Sequence, residues 1–307
     1  MTDSRKAVIL GAGHVGSHVA YALGLAGILK EIVLVDVDRD KAVSQALDVD
    51  DSIGFGAGET LVRAGDYSDV ADAAVVINAI GEGRKPGQTR LDLLGRSAEM
   101  AKELAASLKP YPIPGIFISI TNPCDVVADY MRKALDLPRE RAFGTGTLLD
   151  TARLVRAISR RTGVGRKNIQ AFSLGEHGDS SMIPFEAIRV GGRSAEALGL
   201  SREDLLAETR QSGMVIIEGK KSTEFGIGSG AADLVKCILL DEKRIIPVSA
   251  CLMGEYGETD VHCGVPCRIG ENGLEEIIQL PLSEAEQTEL HASCEIIRKY
   301  IRMAEEN

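Results

Sequence analysis

"KAVILGAGHVGSHVAYALGLAG", residues 6–27, decides how the rest of the chain reads. Residues 6–10 form a short apolar run of strand length. Val15, Val19, Ala22, Leu23 and Ala26 then recur at helical spacing, and Gly27 supplies a stop. Between the two lie Gly11, Gly13 and Gly16 in a G-x-G-x-x-G turn. In a chain with 33 glycines that turn alone is weak, but its context is specific. It follows a strand, opens a helix, and is followed twenty residues after Gly16 by Asp36, near the end of a second apolar run, "EIVLVDVD" (31–38). Gly11 permits the tight turn, Gly13 lets the backbone approach a pyrophosphate, and Gly16 lets helix and strand pack closely. The helix N-terminus offers unpaired N–H groups and a positive dipole end to the anion. His14 and Val15, inside the same loop, are expected to lie against the nucleotide. Asp36 can accept a hydrogen bond from a ribose 2′-hydroxyl and would repel a 2′-phosphate, so NAD is the expected cofactor rather than NADP.

Working outward, residues 40–49 read as helix. "TLVRAGDY" (60–67), "AAVVINAIG" (73–81) and "GIFISITNP" (115–123) read as further strands. Strands apolar on both sides, alternating with helices, imply a parallel sheet covered on both faces. The expected fold is therefore α/β, a Rossmann-type doubly wound parallel sheet over residues 1–144. A mixed α+β substrate and catalytic domain follows over 145–307. There "TLLDTARLVRAISRRTG" (147–163) is a strongly amphipathic helix, and 166–192 holds strand-like pieces and turns. Residues 201–220 and 229–240 read as helices, and 244–252 with 264–270 as an antiparallel pair. A long helix spans 283–304, where Ser283 and Glu286 have capping-box spacing.

The totals narrow the function. The chain has 307 residues, a length that suggests about two domains. It is 44% apolar and 26% charged, as globular proteins are. A net charge of −10 argues against nucleic acid as a general partner. No window approaches 18 uncharged apolar residues, so no membrane span is expected. "MTDSRKAVIL" lacks the features of a signal peptide. Six scattered cysteines then point to reduced thiols and a cytoplasmic location. Cys263 and Cys267 form C-x3-C beside His262, but no second pair stands at zinc spacing. Packing is the expected role, and no metal site is expected.

Candidate chemistry gathers at four places. "FSLGEHGDSSMIPF" (172–185) holds His177, one of only five histidines, open to reading as proton-transfer group, metal ligand or turn residue. Asp150 and Arg153 lie three residues apart on one helix face. Apolar neighbours bury part of that helix, and buried charges need partners. The carboxylate can hold an imidazole, and the guanidinium can grip a carboxylate ligand bidentately. The loop "GEGRKPGQTRLDL" (81–93) carries Arg84, Lys85 and Arg90 beyond a strand end, where open α/β sheets bind ligands; a closing lid and a solvated basic loop stand about even. Asn122, directly after a strand, can hydrogen-bond a cofactor or substrate carbonyl, or simply make an Asn-Pro turn.

Taken in order, "GAGHVG" with Asp36, "GRKPGQTRLDL", "TNP", "LLDTAR" and "GEHGDS" resemble the lactate/malate dehydrogenase family, from about residue 6 to the final helix. The last four motifs are far more specific than the glycine loop. "GEHGD" brings the chain closer to the lactate branch, since malate enzymes more often read "GGHGD". The resemblance implies NAD as cofactor and hydride transfer with a small 2-oxo or 2-hydroxy acid. It also implies a glycolytic or fermentative role and a homo-oligomer, dimer or tetramer. By it, His177 is the acid/base and Asp150 the carboxylate that orients it. Arg153 is the substrate-carboxylate clamp and Arg90 the lid arginine that polarises the carbonyl. Asn122 stands near nicotinamide and substrate, and Thr223 in "KKSTEFGIG" forms the pocket wall.

Two departures matter. Lactate enzymes usually carry glutamine where this chain has Arg84, whereas malate enzymes carry arginine there, pairing with oxaloacetate's second carboxylate. An arginine enclosed against pyruvate's methyl group would cost about 3–5 kcal/mol. Arg84 thus points to a dicarboxylate, while Thr223 and "GEHGDS" point to lactate. Secondly, bacterial members activated by fructose 1,6-bisphosphate carry an arginine two residues beyond the clamp and a histidine seven before the acid/base. Here those positions are Val155 and Gln170, neither cationic. The expectation is that the sugar bisphosphate leaves the half-saturating keto-acid concentration unchanged; a clear drop on its addition would refute it.

Overall fold

The structure is a computed structural model that describes residues 5–56, 58–82 and 90–306, without the side chains of residues 90–93 and 306. β1 (Lys6–Leu10), α1 (His14–Ala26), β2 (Glu31–Val35), α2 (Arg39–Ile53) and β3 (Leu61–Ala64) open the chain. β4 (Val75–Asn78), α3 (Arg90–Leu108), β5 (Ile116–Ser119), α4 (Cys124–Ala134) and β6 (Ala142–Gly144) follow. These strands lie in the parallel order β3-β2-β1-β4-β5-β6. That is the doubly wound arrangement, with the reversal of strand order beside β1.

The strands are largely apolar because both faces of the sheet are covered. Ala7, Ile9, Ile32, Leu34, Ile77 and Ile118 share one core with Val19 and Leu23 of α1 and Ala46 and Val49 of α2. Val8, Leu10, Val33, Val35, Val76 and Phe117 share the other with Leu104 and Leu108 of α3 and Met131 of α4. Successive residues serve opposite faces, as the period of a strand requires. Lys6, the one charge inside β1, is buried and paired with Asp69 at 3.0 Å and Asp72 at 2.7 Å.

The second half adds α5 (Leu148–Thr162), β7 (Ile169–Gln170), β8 (Arg189–Val190), β9 (Arg193–Ser194), α6 (Arg202–Lys220) and α7 (Phe225–Leu239). β10 (Arg244–Met253), β11 (Thr259–Gly270), β12 (Gly273–Ile277) and α8 (Glu284–Glu306) complete it. β10 joins the parallel sheet antiparallel to β6, with Ser249 opposite Gly144, so one nine-stranded sheet runs through both halves. β7, β8 and β9 form a small separate sheet over a satellite core of Leu154, Ile158, Ile183, Ile188 and Leu205. The β10–β11 pair and the capping box are both present, Ser283 and Glu286 bonding reciprocally through N–H groups at 3.0 and 3.3 Å.

Several expected boundaries shift, and three of the shifts have a visible cause. The second strand ends at Val35, because the Asp36 carboxylate accepts the N–H groups of Ala12 and Asp38 and turns the chain. The third ends at Ala64, and a 3-10 turn capped by Asp66 and Asp69 takes over from Tyr67. α7 starts at Phe225 rather than 229. Its early glycines read as loop, yet Gly228 is where α7 crosses α1, and a Cβ there would stand 3.0 Å from His18.

Gly264 of β11 ties the large sheet to the segment that follows β7. It exchanges backbone hydrogen bonds with Gly175 at 3.0 and 2.9 Å. A Cβ on it would stand 2.6 Å from the Thr147 side chain and 2.8 Å from the Gly175 carbonyl oxygen. Gly264→Ala is expected to destabilise the fold by about 1–3 kcal/mol, read as a lower urea midpoint; wild-type stability would show that this contact yields freely.

Candidate active site

The glycine loop occupies the turn between β1 and α1. Gly11 has φ +102°, and a Cβ there would lie 2.8 Å from the Ala79 carbonyl oxygen on β4's exit. A Cβ on Gly16 would fall 1.8 Å from the Gly11 oxygen, so only glycine closes this turn. Above Gly13 the nearest atom to such a Cβ is Lys41 Nζ at 3.9 Å, which leaves the backbone open to a ligand. Asp36 binds the Ala12 N–H at 2.8 Å, and Lys41 Nζ stands 3.4 Å from it. The open backbone at a helix N-terminus, with a carboxylate at the next strand's end, fits a dinucleotide. His14 is largely exposed, with Nδ1 3.7 Å from Glu224, and Val15 is half-buried. Lys41 and Glu224 at this edge were not singled out in the sequence.

α5 and the segment after β7 supply the second cluster. Asp150 and Arg153 stand one helical turn apart and are both buried. Arg153 Nη1 donates to Asp150 Oδ1 at 3.0 Å, and His177 Nδ1 meets Asp150 Oδ2 at 2.6 Å. The carboxylate thus assigns the proton to Nδ1 and leaves Nε2 for chemistry. The His177 side chain keeps 24% of its surface exposed, so it is open to solvent. The Asp150 charge, working against burial, pushes the His177 pKa up to about 9. Burial alone would raise Asp150, but the charges of His177 and Arg153 outweigh it and hold the carboxyl below its ordinary value. Opposite charges in a dry site settle one another's ionisation in this way.

The loop carrying His177 is pinned from every side. Gly175 pairs with Gly264, the Glu176 N–H donates to Ser293 Oγ of α8 at 2.8 Å, and the Ser173 N–H to Thr151 Oγ1 of α5 at 2.9 Å. The His177 N–H donates to Asp125 Oδ2 of α4 at 2.9 Å. Asp125, Ser249 and Ser293 were not foreseen. An acidic residue in a helix's first turn reads as a dipole partner; only its apolar neighbours Val126 and Val127 hinted at burial.

Asn122 leads from β5 into α4 with its side chain exposed, and its carbonyl accepts from Ser97 Oγ at 2.8 Å. Thr223 is half-buried between α6 and α7, next to Glu224, which ties this stretch to Lys220 and to His14. Gly213 of α6 backs onto Arg153: a Cβ there would sit 3.3 Å from Arg153 Nη1. Arg84 lies outside the described residues. Arg90 begins α3, but its side chain lies outside them too.

A metal role for the cysteine–histidine stretch finds other occupants. His262 is buried, takes a hydrogen bond from Arg132 Nε at 3.3 Å and makes another with the Ser249 carbonyl at 3.2 Å. Among the described residues, no group of three or more His, Cys, Asp or Glu side chains is placed to hold an ion.

The chain matches two family models: lactate/malate dehydrogenase, NAD binding domain, over residues 5–144, and lactate/malate dehydrogenase, alpha/beta C-terminal domain, over residues 147–307. It is 38% identical to L-lactate dehydrogenase 1 of Bifidobacterium longum subsp. longum, with 97% of each chain covered. Among solved structures, minor L-lactate dehydrogenase from Enterococcus mundtii in its ligands-bound form superposes with TM-score 0.94 at 36% identity, covering 97% of this chain and 98% of that one. The lactate dehydrogenase from Cryptosporidium parvum, complexed with lactic acid and NAD, superposes with TM-score 0.93 at 27% identity over 100% of both chains.

The ion cluster sets a measurable expectation. In 13C-histidine NMR titration, the His177 imidazole is expected to hold its second proton to about pH 9. In Asp150→Asn it should lose that proton at least about one unit lower. A wild-type midpoint near the value of a free histidine would contradict the arrangement.

Proposed function

The chain belongs to the lactate/malate dehydrogenase family, and from that premise we propose that it is an NAD-dependent L-lactate dehydrogenase interconverting L-lactate and pyruvate. The observation that carries the reading is the hydrogen-bonded run Arg153–Asp150–His177, opening on the edge that holds the glycine loop.

The roles follow from the chemistry. Bound NAD supplies or accepts the hydride. Arg153, with Nη1 held by Asp150, offers its remaining N–H groups to the substrate carboxylate as a bidentate clamp. His177, as imidazolium, gives its Nε2 proton to the keto oxygen of pyruvate and takes it back from lactate. Asp150 keeps the ring in the right tautomer and stabilises its charge. Arg90, by family resemblance, polarises the carbonyl as negative charge develops on its oxygen. Asn122 and Thr223 border the cofactor and substrate positions, and Gly11, Gly13, Gly16, His14, Val15 and Asp36 hold the dinucleotide.

A second reading, malate and oxaloacetate, rests on Arg84 alone. Pyruvate is preferred here because Glu176, Thr223 and the named relatives agree. The working assembly is a homo-oligomer, a dimer or tetramer. Exposed apolar residues support it: Tyr21 and Leu25 on α1, Met214 and Val215 on α6, and Phe225 on α7. All six cysteines are buried and unpaired, in keeping with a cytoplasmic, fermentative enzyme.

The deciding measurement is kcat/KM for NADH oxidation with pyruvate and with oxaloacetate. Pyruvate should win; an advantage of more than tenfold for oxaloacetate would transfer the assignment to malate. With pyruvate, kcat/KM should hold through neutral pH and fall as His177 loses its proton near pH 9, because reduction consumes that proton.

A further inference from the structure

Asp125 opens the first turn of α4, where acidic residues ordinarily face water and the helix dipole. This one is only 3% exposed. Both its oxygens are engaged: Oδ2 accepts the main-chain N–H of His177 at 2.9 Å, and Oδ1 accepts the Ser249 hydroxyl of β10 at 2.5 Å. Ser249 is itself held fast. Its carbonyl accepts from His262, whose far nitrogen accepts from Arg132. Gly146 passes so close that a Cβ there would stand 2.5 Å from the Ser249 nitrogen.

A carboxylate this deeply buried is costly unless its charge is used. Two neutral donors do not require one, since an asparagine there could accept from His177 and donate to Ser249. Among the described residues, the cation whose charge acts on Asp125 is the imidazolium of His177. The other titratable groups facing it are Cys124 on α4, Glu176 beside the histidine and Cys263 on β11, none a cation.

We propose that Asp125 is a second positioning carboxylate for His177: it fixes the histidine's main chain to α4 and adds a negative charge to that of Asp150. The inference rests on His177 being the acid/base of the dehydrogenase reaction. It makes α4 common ground for both partners of the reaction. Asn122, beside the expected cofactor, and Asp125, on the histidine, stand three residues apart in the chain, so the helix entry that sets one also sets the other. Burial pushes the Asp125 carboxyl up to about 6, against the bonds from Ser249 and His177. It is therefore ionised at neutral pH, when its charge is needed.

Labelled histidine rings, with the His177 signal identified by its loss in His177→Gln, give a readout that needs no turnover. Asp125→Asn is expected to lower the His177 midpoint by about half a unit or more, with Asp150 in place. The alkaline limb of kcat/KM with pyruvate should move down by the same amount. Asp125→Ala, which also removes the anchor, should lower kcat at least about tenfold while NADH binding, followed by fluorescence, changes far less. An Asn variant that titrates as wild type would overturn the electrostatic part. An Ala variant that keeps both melting temperature and kcat would overturn the anchoring part. If Ala does not fold, the Asn titration still decides. Failure of the wild type to turn over any 2-oxo acid would sink the dehydrogenase reading but leave the titration to judge Asp125.

Discussion

A carboxylate that has given up water must find positive charge, and Asp150 is such a group. Its side chain is 10% exposed, and it lies between Arg153 and His177. Left alone it would be neutral or unstable. Paired on both oxygens it stays ionised, holds Arg153 in place and gives His177 its tautomer and charge. The location of α5 and the path of the 172–185 segment are both tied to that requirement. The same pairing raises His177 to about 9, so the imidazole keeps its second proton at neutral pH.

The sheet explains why this cluster opens where it does. Parallel strands leave their C-terminal ends at one edge, and ligands bind in the crevice there. The glycine loop follows β1, Asp36 follows β2, Asn122 follows β5, and Thr147 with the start of α5 follows β6. β10 and β11 then extend the same sheet antiparallel and place Ser249 and Gly264 beneath the His177 loop. Glycines mark close crossings: Gly16 against Gly11, Gly228 against His18, Gly264 against Thr147. At each, backbone or a side chain occupies the space a larger residue would claim.

The anchoring of His177 is distributed among α4, α5, α8 and β11. The neutral bonds in that set contribute on the order of 1 kcal/mol each, and the bond to the Asp125 carboxylate about twice that. Together they hold one ring against one carboxylate, the pre-organisation that proton transfer needs. Asp125 differs from the rest of the set because it also carries charge.

Several features were readable from the residues. The apolar strands, the glycine spacing and Asp36 were legible because they are local patterns with a fixed period or a fixed turn. Asp150 and Arg153 were legible as a pair because helical spacing puts them on one face. His177 stood out by scarcity and by its glycine-flanked setting. Other features were decided only in three dimensions. The approach of His177 to Asp150, 27 residues away, depends on where α5 and the following segment pack. No motif in the sequence marked Asp125, whose burial comes from β10 and the His177 loop closing over it. The glycines that open α7 looked like loop until α1 was set against them. Sequence carries chemistry and local period; which distant groups share a dry space is set by packing, because burial, not residue type, decides whether a charge must be answered.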